Sequence, residues 1–435
     1  MELRELTKVH NLIGLFIELC EIPSPSLKEE SLSKKILEIF KENSINAEYD
    51  SFKNIMAKIP PSKGYEKTPS ILLSAHMDVV GGSEELNIRL SADEKFIETD
   101  KTRTLGADNK AGVAAILDLA IELVKHENKT PHGSIEITFT RDEEMGMSGA
   151  QNLDTSKLNS KYAIICDGEV LGELDCEGAG FTNVYIKVHG AKGGHSGINI
   201  HDTTRISAIK VLSELDSQIP QGVFKHDQKG TITSINAGVI SGGAVNTFIA
   251  EAIKEAYESG KVQKPVSEKF NAKNILDSIN KNSALNIIST EAQIAYSVRS
   301  SEPENEQELL EKIKNTVAGL NEKYAGLIKI DMEIKEHLKP FVRSEDELLT
   351  EIAVKAGKKQ NLNVIPSSFH AGAETHVFAN EKKNASGEAF IPVIAGLANL
   401  ENIHSSDEKI DWQSFLTGRK WLEEIVSAFA EEFKK

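Results

Sequence analysis

The segment 71–80, ILLSAHMDVV, constrains this chain more than any other. Its apolar residues up to Ala75 form a short run of the kind buried on both faces of a mostly parallel sheet. His76 and Asp78 follow at the carboxyl end of that strand, where open α/β sheets place their chemistry. At a spacing of two, both side chains leave the same face of an extended backbone. An imidazole and a carboxylate so placed can begin a metal site, or can be a strand-end pair that only caps a loop.

A chain of 435 residues is too long for one ordinary core, so two domains are expected. Its 40% hydrophobic and 27% charged residues, with no low-complexity tract, are those of a soluble globular protein. A formal charge of −16 argues against nucleic acid or an anionic membrane as partner. The cysteines Cys20, Cys166 and Cys176 are too scattered for a disulfide framework. The opening stretch reads as an amphipathic helix rather than a signal peptide, and no apolar run reaches the roughly 18 residues of a membrane span. A cytoplasmic location is expected.

Helices are predicted over 3–20 and 27–43, separated by the IPSPS turn, then a hairpin over 46–59. A strand at 71–76, a helix at 110–126, a strand at 134–140, a short helix at 147–153 and a strand at 162–166 follow. Strands spaced by helices make a parallel or mixed sheet with helical cover. From about 181 the strands alternate apolar with polar, as in FTNVYIKVHG and EAQIAYSVRS, which suits a sheet with one wet face. About four strands and two helices make a small α+β unit there, with 250–285 an insertion, helical in part. After Pro340 the chain returns to a helix at 344–358, a strand, a glycine-rich loop, the strand FIPVIAG and a closing helix at 411–433. The expected organisation is a discontinuous first domain, 1–180 plus 339–435, interrupted by a smaller one at 181–338.

Four further loops each offer a ligand. Asp108 lies in TLGADNKAG before an apolar helix, where a lone Asp is ordinarily an N-cap. Strand 134–140 ends in Asp142, Glu143 and Glu144, which alone would be a solvated turn. Asp167 directly follows the short buried run YAIIC, and His404 sits in the polar loop IHSSDEKI. The combination decides. His76, Asp108, Glu144, Asp167 and His404 supply two imidazoles and three carboxylates from loops at strand ends. One metal takes three or four protein ligands, whereas two metals sharing a carboxylate use all five. Crowded carboxylates repel, so cations are their natural counter-charge. Asp78 is placed to receive the N–H of His76 and fix its tautomer. Glu143, beside the ligand Glu144, is placed to take a proton from an attacking water and pass it to a leaving amine.

From IPSPS through AHMDVV, GADNKAG, DEEMGMSGA, CDGE, GGHSG and SVRS to NIHSSDEK, the chain resembles a family of dinuclear zinc exopeptidases. That family contains peptidase T, the Xaa-His dipeptidase, carboxypeptidase G and the aminoacylases. The resemblance implies a zinc-exopeptidase-like α/β fold with a ferredoxin-like α+β lid inserted. It implies His76 and Asp167 on one zinc ion, Glu144 and His404 on the other, and Asp108 bridging. It also implies Glu143 as general base and Asp78 as the orienting acid. In the lid, His195 of GAKGGHSGINI corresponds to the histidine that holds the scissile carbonyl oxygen, in several members across a homodimer formed through the lid. Arg299 corresponds to the anchor of the substrate's free carboxylate. The family's asparagine matches Asn246 by spacing and Asn286 by local context; Asn286 is preferred. Glu374 stands in HAGAE, where other members carry Gly-Gly-Ser/Thr-Asp, and is its substrate-side counterpart. The implied activity is hydrolysis of di- or tripeptides by a two-zinc site, with deacylation of N-acyl amino acids the alternative. Cobalt or manganese suits the same ligands. A silent peptide-binding member would be expected to lose ligands or base, yet all seven positions of the first domain are filled.

Overall fold

Every residue of the strand Ile71–His76 is buried, and the strand lies inside an eight-stranded sheet. It runs parallel to Ile135–Thr140 on one side and Tyr162–Gly168 on the other. Alternate residues serve opposite faces, as period 2 requires: Ile71, Leu73 and Ala75 join the larger core, Leu72 the smaller. Ile391–Gly396 pairs in parallel beyond Tyr162–Gly168 and so separates it from its chain neighbour Glu173–Gly178. Ile365–Phe369 closes that edge in parallel with Glu173–Gly178, and the hairpin Ala47–Tyr49/Ile55–Ile59 adds antiparallel strands at the other. The result is the expected mixed, mostly parallel sheet with helical cover.

The computed structural model describes residues 3–126, 129–226, 231–243 and 285–434. By its internal contacts the chain divides into two units, Met1–Ala179 with Lys339–Lys435, and Gly180–Leu338. In the first, helices Asn11–Glu21, Ala107–Lys125, Leu348–Lys359 and Trp412–Glu432 contribute Phe16, Ile116, Ile352, Trp421 and Ile425 to the larger core. Each such side chain stabilises by roughly 1.5–3 kcal/mol when fully buried. Leu153, Phe378 and Phe390 cover the opposite face in a smaller cluster. The closing helix starts where Asp411 accepts the N–H groups of Gln413 and Ser414.

Three features differ from expectation. The first predicted helix is two, Leu3–Val9 and Asn11–Glu21, because His10 is extended at φ −124° and ψ 104°. Glu173–Gly178 is a nearly buried strand although it reads ELDCEG. Ile88–Leu90, Phe96–Thr99, Leu400–Glu401 and Lys409–Asp411 build a separate four-stranded sheet. These strands are too short to show alternation in sequence, yet their sheet carries the His404 loop.

The acidic strand has a measurable consequence. Burial pushes the Asp175 carboxyl up to about 7, and the neighbouring Glu173 charge adds to the effect, while the Ser367 hydroxyl works against it. A carboxyl raised above its unfolded value of about 3.9 favours the protonated fold, so stability falls as pH rises from about 4 to 7. Asp175→Asn should therefore come closest to the parent's melting temperature at or below about pH 4 and exceed it by roughly 2–4 °C or more at pH 8. Calorimetry across pH checks this; a difference independent of pH would refute it.

The second unit is an antiparallel sheet in the order Gly222–His226, Ile232–Gly242, Ala292–Ser300, Gly180–His189 and Lys329–Leu338. Helices Ala208–Asp216 and Pro303–Lys323 cover one face, packing Val211, Leu212, Ile313 and Leu320 on Val184, Ile186, Tyr296 and Val298. Among the described residues five strands stand where about four were expected, the extra one being the largely exposed edge Gly222–His226. Asn246 and positions 250–284 of the expected insertion lie outside the described residues.

Candidate active site

The carboxyl ends of the parallel strands in the first unit deliver the predicted side chains to one place. His76 ends its strand, Asp167 lies in Tyr162–Gly168, and Glu143 and Glu144 open a short helix just after Ile135–Thr140. Asp108 sits at the head of Ala107–Lys125, where its own φ and ψ are non-helical, so the backbone turns there. His404 arrives on the loop between Leu400–Glu401 and Lys409–Asp411.

His76 Nε2 lies 3.2 Å from Asp108 Oδ1 and 3.3 Å from Asp167 Oδ1. His404 Nε2 lies 3.1 Å from Asp108 Oδ2 and 3.1 Å from Glu144 Oε2. The two oxygens of Asp108 thus face different imidazoles. In each of the triads His76–Asp108–Asp167 and Asp108–Glu144–His404 the candidate ligand atoms lie within 4.8 Å of one another, and His76, Glu143 and Glu144 form a third such group. Behind His76, Nδ1 is 3.0 Å from the Asp78 carbonyl and 3.4 Å from Asp78 Oδ1. The Asp78 carboxylate also accepts the backbone N–H of Glu143 at 2.9 Å and of Glu144 at 3.2 Å. One acid therefore orients the imidazole and fixes the backbone of the two glutamates.

The electrostatics test whether cations fit. Burial pushes the carboxyls of Glu143 and Asp167 above their ordinary values, and Glu144 up to about 7. Burial also opposes charge on His76, but Asp167, Asp108 and Asp78 outweigh it and raise the imidazole well above the usual histidine value. The hydrogen bond to Asp108 raises His404 to about 9. Asp108 stays below the normal carboxylate range, since the two imidazoles overcome the effect of its burial. Protons are thus drawn to acids and imidazoles alike, supplying positive charge that divalent cations would otherwise provide. Glu144 Oε1 is buried with no hydrogen-bond partner, a further oxygen suited to a cation. The residues present fit two metal ions.

Two supporting residues escaped the sequence reading. The Ser26 hydroxyl donates to Asp78 Oδ2 at 2.7 Å, which places the IPSPS turn against the site. Glu408, in the loop of His404, is 1% exposed and accepts the N–H of Gly106 at 2.6 Å, the N–H of Asp108 at 3.1 Å, and the Thr104 hydroxyl. It holds the Asp108 turn from about 300 positions away; no local pattern could have signalled it.

Glu374 opens the helix Glu374–Asn380 and is fully buried, with neither carboxyl oxygen in a hydrogen bond. Burial pushes it up to about 8, against the opposing effect of the Thr140 hydroxyl. In the second unit His195 is exposed, and its Nδ1 accepts the N–H groups of Gly197 and Ile198 at 3.1 and 3.2 Å. The proton of the neutral ring is therefore on Nε2. Asn286 lies alongside, its carbonyl accepting the N–H of Ser196 at 2.8 Å. Arg299, on Ala292–Ser300, places its guanidinium 4.7 Å from the ring centre of Phe181 and pairs with no carboxylate among the described residues.

A family model described as Peptidase family M20/M25/M40 matches residues 72–428, and the chain belongs to that family. A protein named YqjE from Bacillus subtilis (strain 168) is 26% identical over 433 residues, covering 98% of each chain. Peptidase T of Aliivibrio fischeri (strain ATCC 700601 / ES114) is 32% identical over 235 residues, covering 48% of this chain and 55% of that one. The chain thus spans about half of that relative's length. A crystal structure of a tripeptidase from Staphylococcus aureus subsp. aureus mu50 superposes with a TM-score of 0.76 at 21% identity, covering 97% of this chain and 98% of that one, and shares the fold.

Proposed function

We propose that this protein is a metal-dependent exopeptidase that hydrolyses di- and tripeptides, with His76 and Asp167 on one ion, Glu144 and His404 on the other, and Asp108 between them. The observation that carries the reading is Asp108, whose two oxygens face the two imidazoles. Zinc suits the mixed histidine and carboxylate donors. When bound, the ion pair would make a water more acidic and polarise the scissile carbonyl. Glu143, enclosed and raised by burial, takes the proton of the attacking water and hands it to the departing amine. Asp78 holds the His76 tautomer and the Glu143 backbone throughout.

Arg299, with no carboxylate partner among the described residues, anchors the substrate's terminal carboxylate, which restricts the enzyme to short peptides. The Nε2–H of His195 donates to the substrate carbonyl oxygen, Asn286 beside it contacts the same substrate, and Glu374 lines the substrate side of the first unit. Assembly as a homodimer through Gly180–Leu338 and a cytoplasmic location belong to the same reading. Among the described residues no helix is long and apolar enough to cross a membrane.

The test is amine release from a panel of unblocked di- and tripeptides and of N-acetyl amino acids, with zinc and after chelation. Turnover of the peptides, lost on chelation and regained with zinc, is expected. Preferential turnover of the N-acetyl compounds would replace the peptidase with an N-acyl amino acid deacylase using the same residues.

A further inference from the structure

The Glu143–Glu144 turn is held from a second direction that the mechanism has not used. Glu29, in the charged run LKEE, is fully buried. Its Oε2 accepts two hydrogen bonds from Arg141, from Nε at 2.8 Å and from Nη2 at 2.7 Å. Its Oε1 accepts the backbone N–H of Leu27 at 2.8 Å and of Asp142 at 3.1 Å. One carboxylate thus ties the IPSPS turn to both residues that precede Glu143. Leu27 and Asp142 have φ of 63° and 54°, a left-handed conformation that side chains other than glycine rarely adopt. Such a backbone persists only where its surroundings over-determine it. Here the surroundings are Glu29 and the Arg141 side chain, with the Ser148 hydroxyl donating to Asp142 Oδ2 and the Asn54 amide oxygen accepting the Arg141 N–H at 3.2 Å.

Asp78 fixes the N–H groups of residues 143 and 144, and Glu29 fixes that of residue 142. Resting on the reading of Glu143 as general base, we propose that Glu29 is a positioning residue for the reaction: with Arg141 it sets the turn that aims Glu143 at the attacking water. Its carboxylate hydrogen bonds go to Arg141, Leu27 and Asp142, and to none of the candidate metal ligands. A carboxylate is required, because only an acceptor-only group can take two guanidinium bonds on one oxygen and two amide bonds on the other. A glutamine would place donors against donors at one of the two ends.

The experiment uses the full-length, zinc-loaded protein. Glu29→Gln and Arg141→Lys are each expected to lower kcat by about 10- to 100-fold, the scale of an ångström-sized misplacement, with KM nearly unchanged and metal content equal to the parent. Glu30→Gln, which alters only the exposed acid 3.5 Å from Arg141 Nη2, should leave kcat as it is. Melting curves and metal analysis accompany each assay. A loss of kcat no greater than the loss of folded protein, or parental kcat in folded Glu29→Gln and Arg141→Lys, overturns the proposal. If Glu29→Gln does not fold, Arg141→Lys decides. Glu143→Gln is assayed in parallel: should it retain turnover, the base assignment itself is wrong, whereas an inert Glu143→Gln beside active Glu29 and Arg141 variants removes the positioning role alone.

Discussion

Glu143→Gln is expected to yield a folded protein that binds zinc and peptide yet turns over about 10²–10⁴ times more slowly than the parent. The amide keeps the volume and leaves the backbone N–H in place for the 2.9 Å bond to Asp78. What is lost is the group proposed to accept a proton from water and return it to the amine. Burial, with the charges of Asp167, Glu374 and Glu144 nearby, holds the Glu143 carboxyl above its ordinary value, which favours uptake of a proton. Steady-state kinetics on a dipeptide, with metal content measured on the same sample, checks the expectation. Parental kcat at full metal content would transfer the base role to another residue.

Asp108→Ala carries a second large effect. Asp108 is the one side chain that both triads share, so its loss weakens both at once, whereas loss of His76 or His404 spares one. The substitution should reduce bound zinc from two ions per chain to one or fewer. Activity should fall by about 10³-fold or more, since metal stabilisation of the reacting charge amounts to several kcal/mol. Equilibrium dialysis against zinc followed by elemental analysis measures the stoichiometry, and a variant that retains both ions and parental turnover would refute the bridging role.

Much of this arrangement was legible because it rests on local pattern. Ile71–His76 is buried on both faces, so its residues are uniformly apolar and its end is easily found. His76 and Asp78 then need only the period of a strand, and Glu143 and Glu144 stand at the end of another wholly buried strand, Ile135–Thr140. Asp108 read as an ordinary cap when taken singly, and only the order of motifs around it suggested more. What stayed hidden depends on distant partners. Glu29 and Glu408 look like solvated charge in sequence, but each is buried because its hydrogen-bond donors come from elsewhere in the chain. Glu173–Gly178 went unread because Asp175 and Glu177 are buried acids, against the usual partition. Lys409–Asp411 and its partner strands are two to four residues long, below the length at which alternation can be seen.

The threading of Ile391–Gly396 between Tyr162–Gly168 and Glu173–Gly178 bears on how the protein is made. During synthesis, a strand that is apolar from Tyr162 to Cys166 leaves the ribosome with one backbone edge unpaired, and roughly 220 further residues must be added before its neighbour exists. At about 5–20 residues per second that gap lasts roughly 10–45 seconds. Throughout it the nascent chain offers an adhesive edge to any extended segment it meets. Holding chaperones have their natural target there, and truncations ahead of residue 391 should aggregate rather than yield a smaller working enzyme.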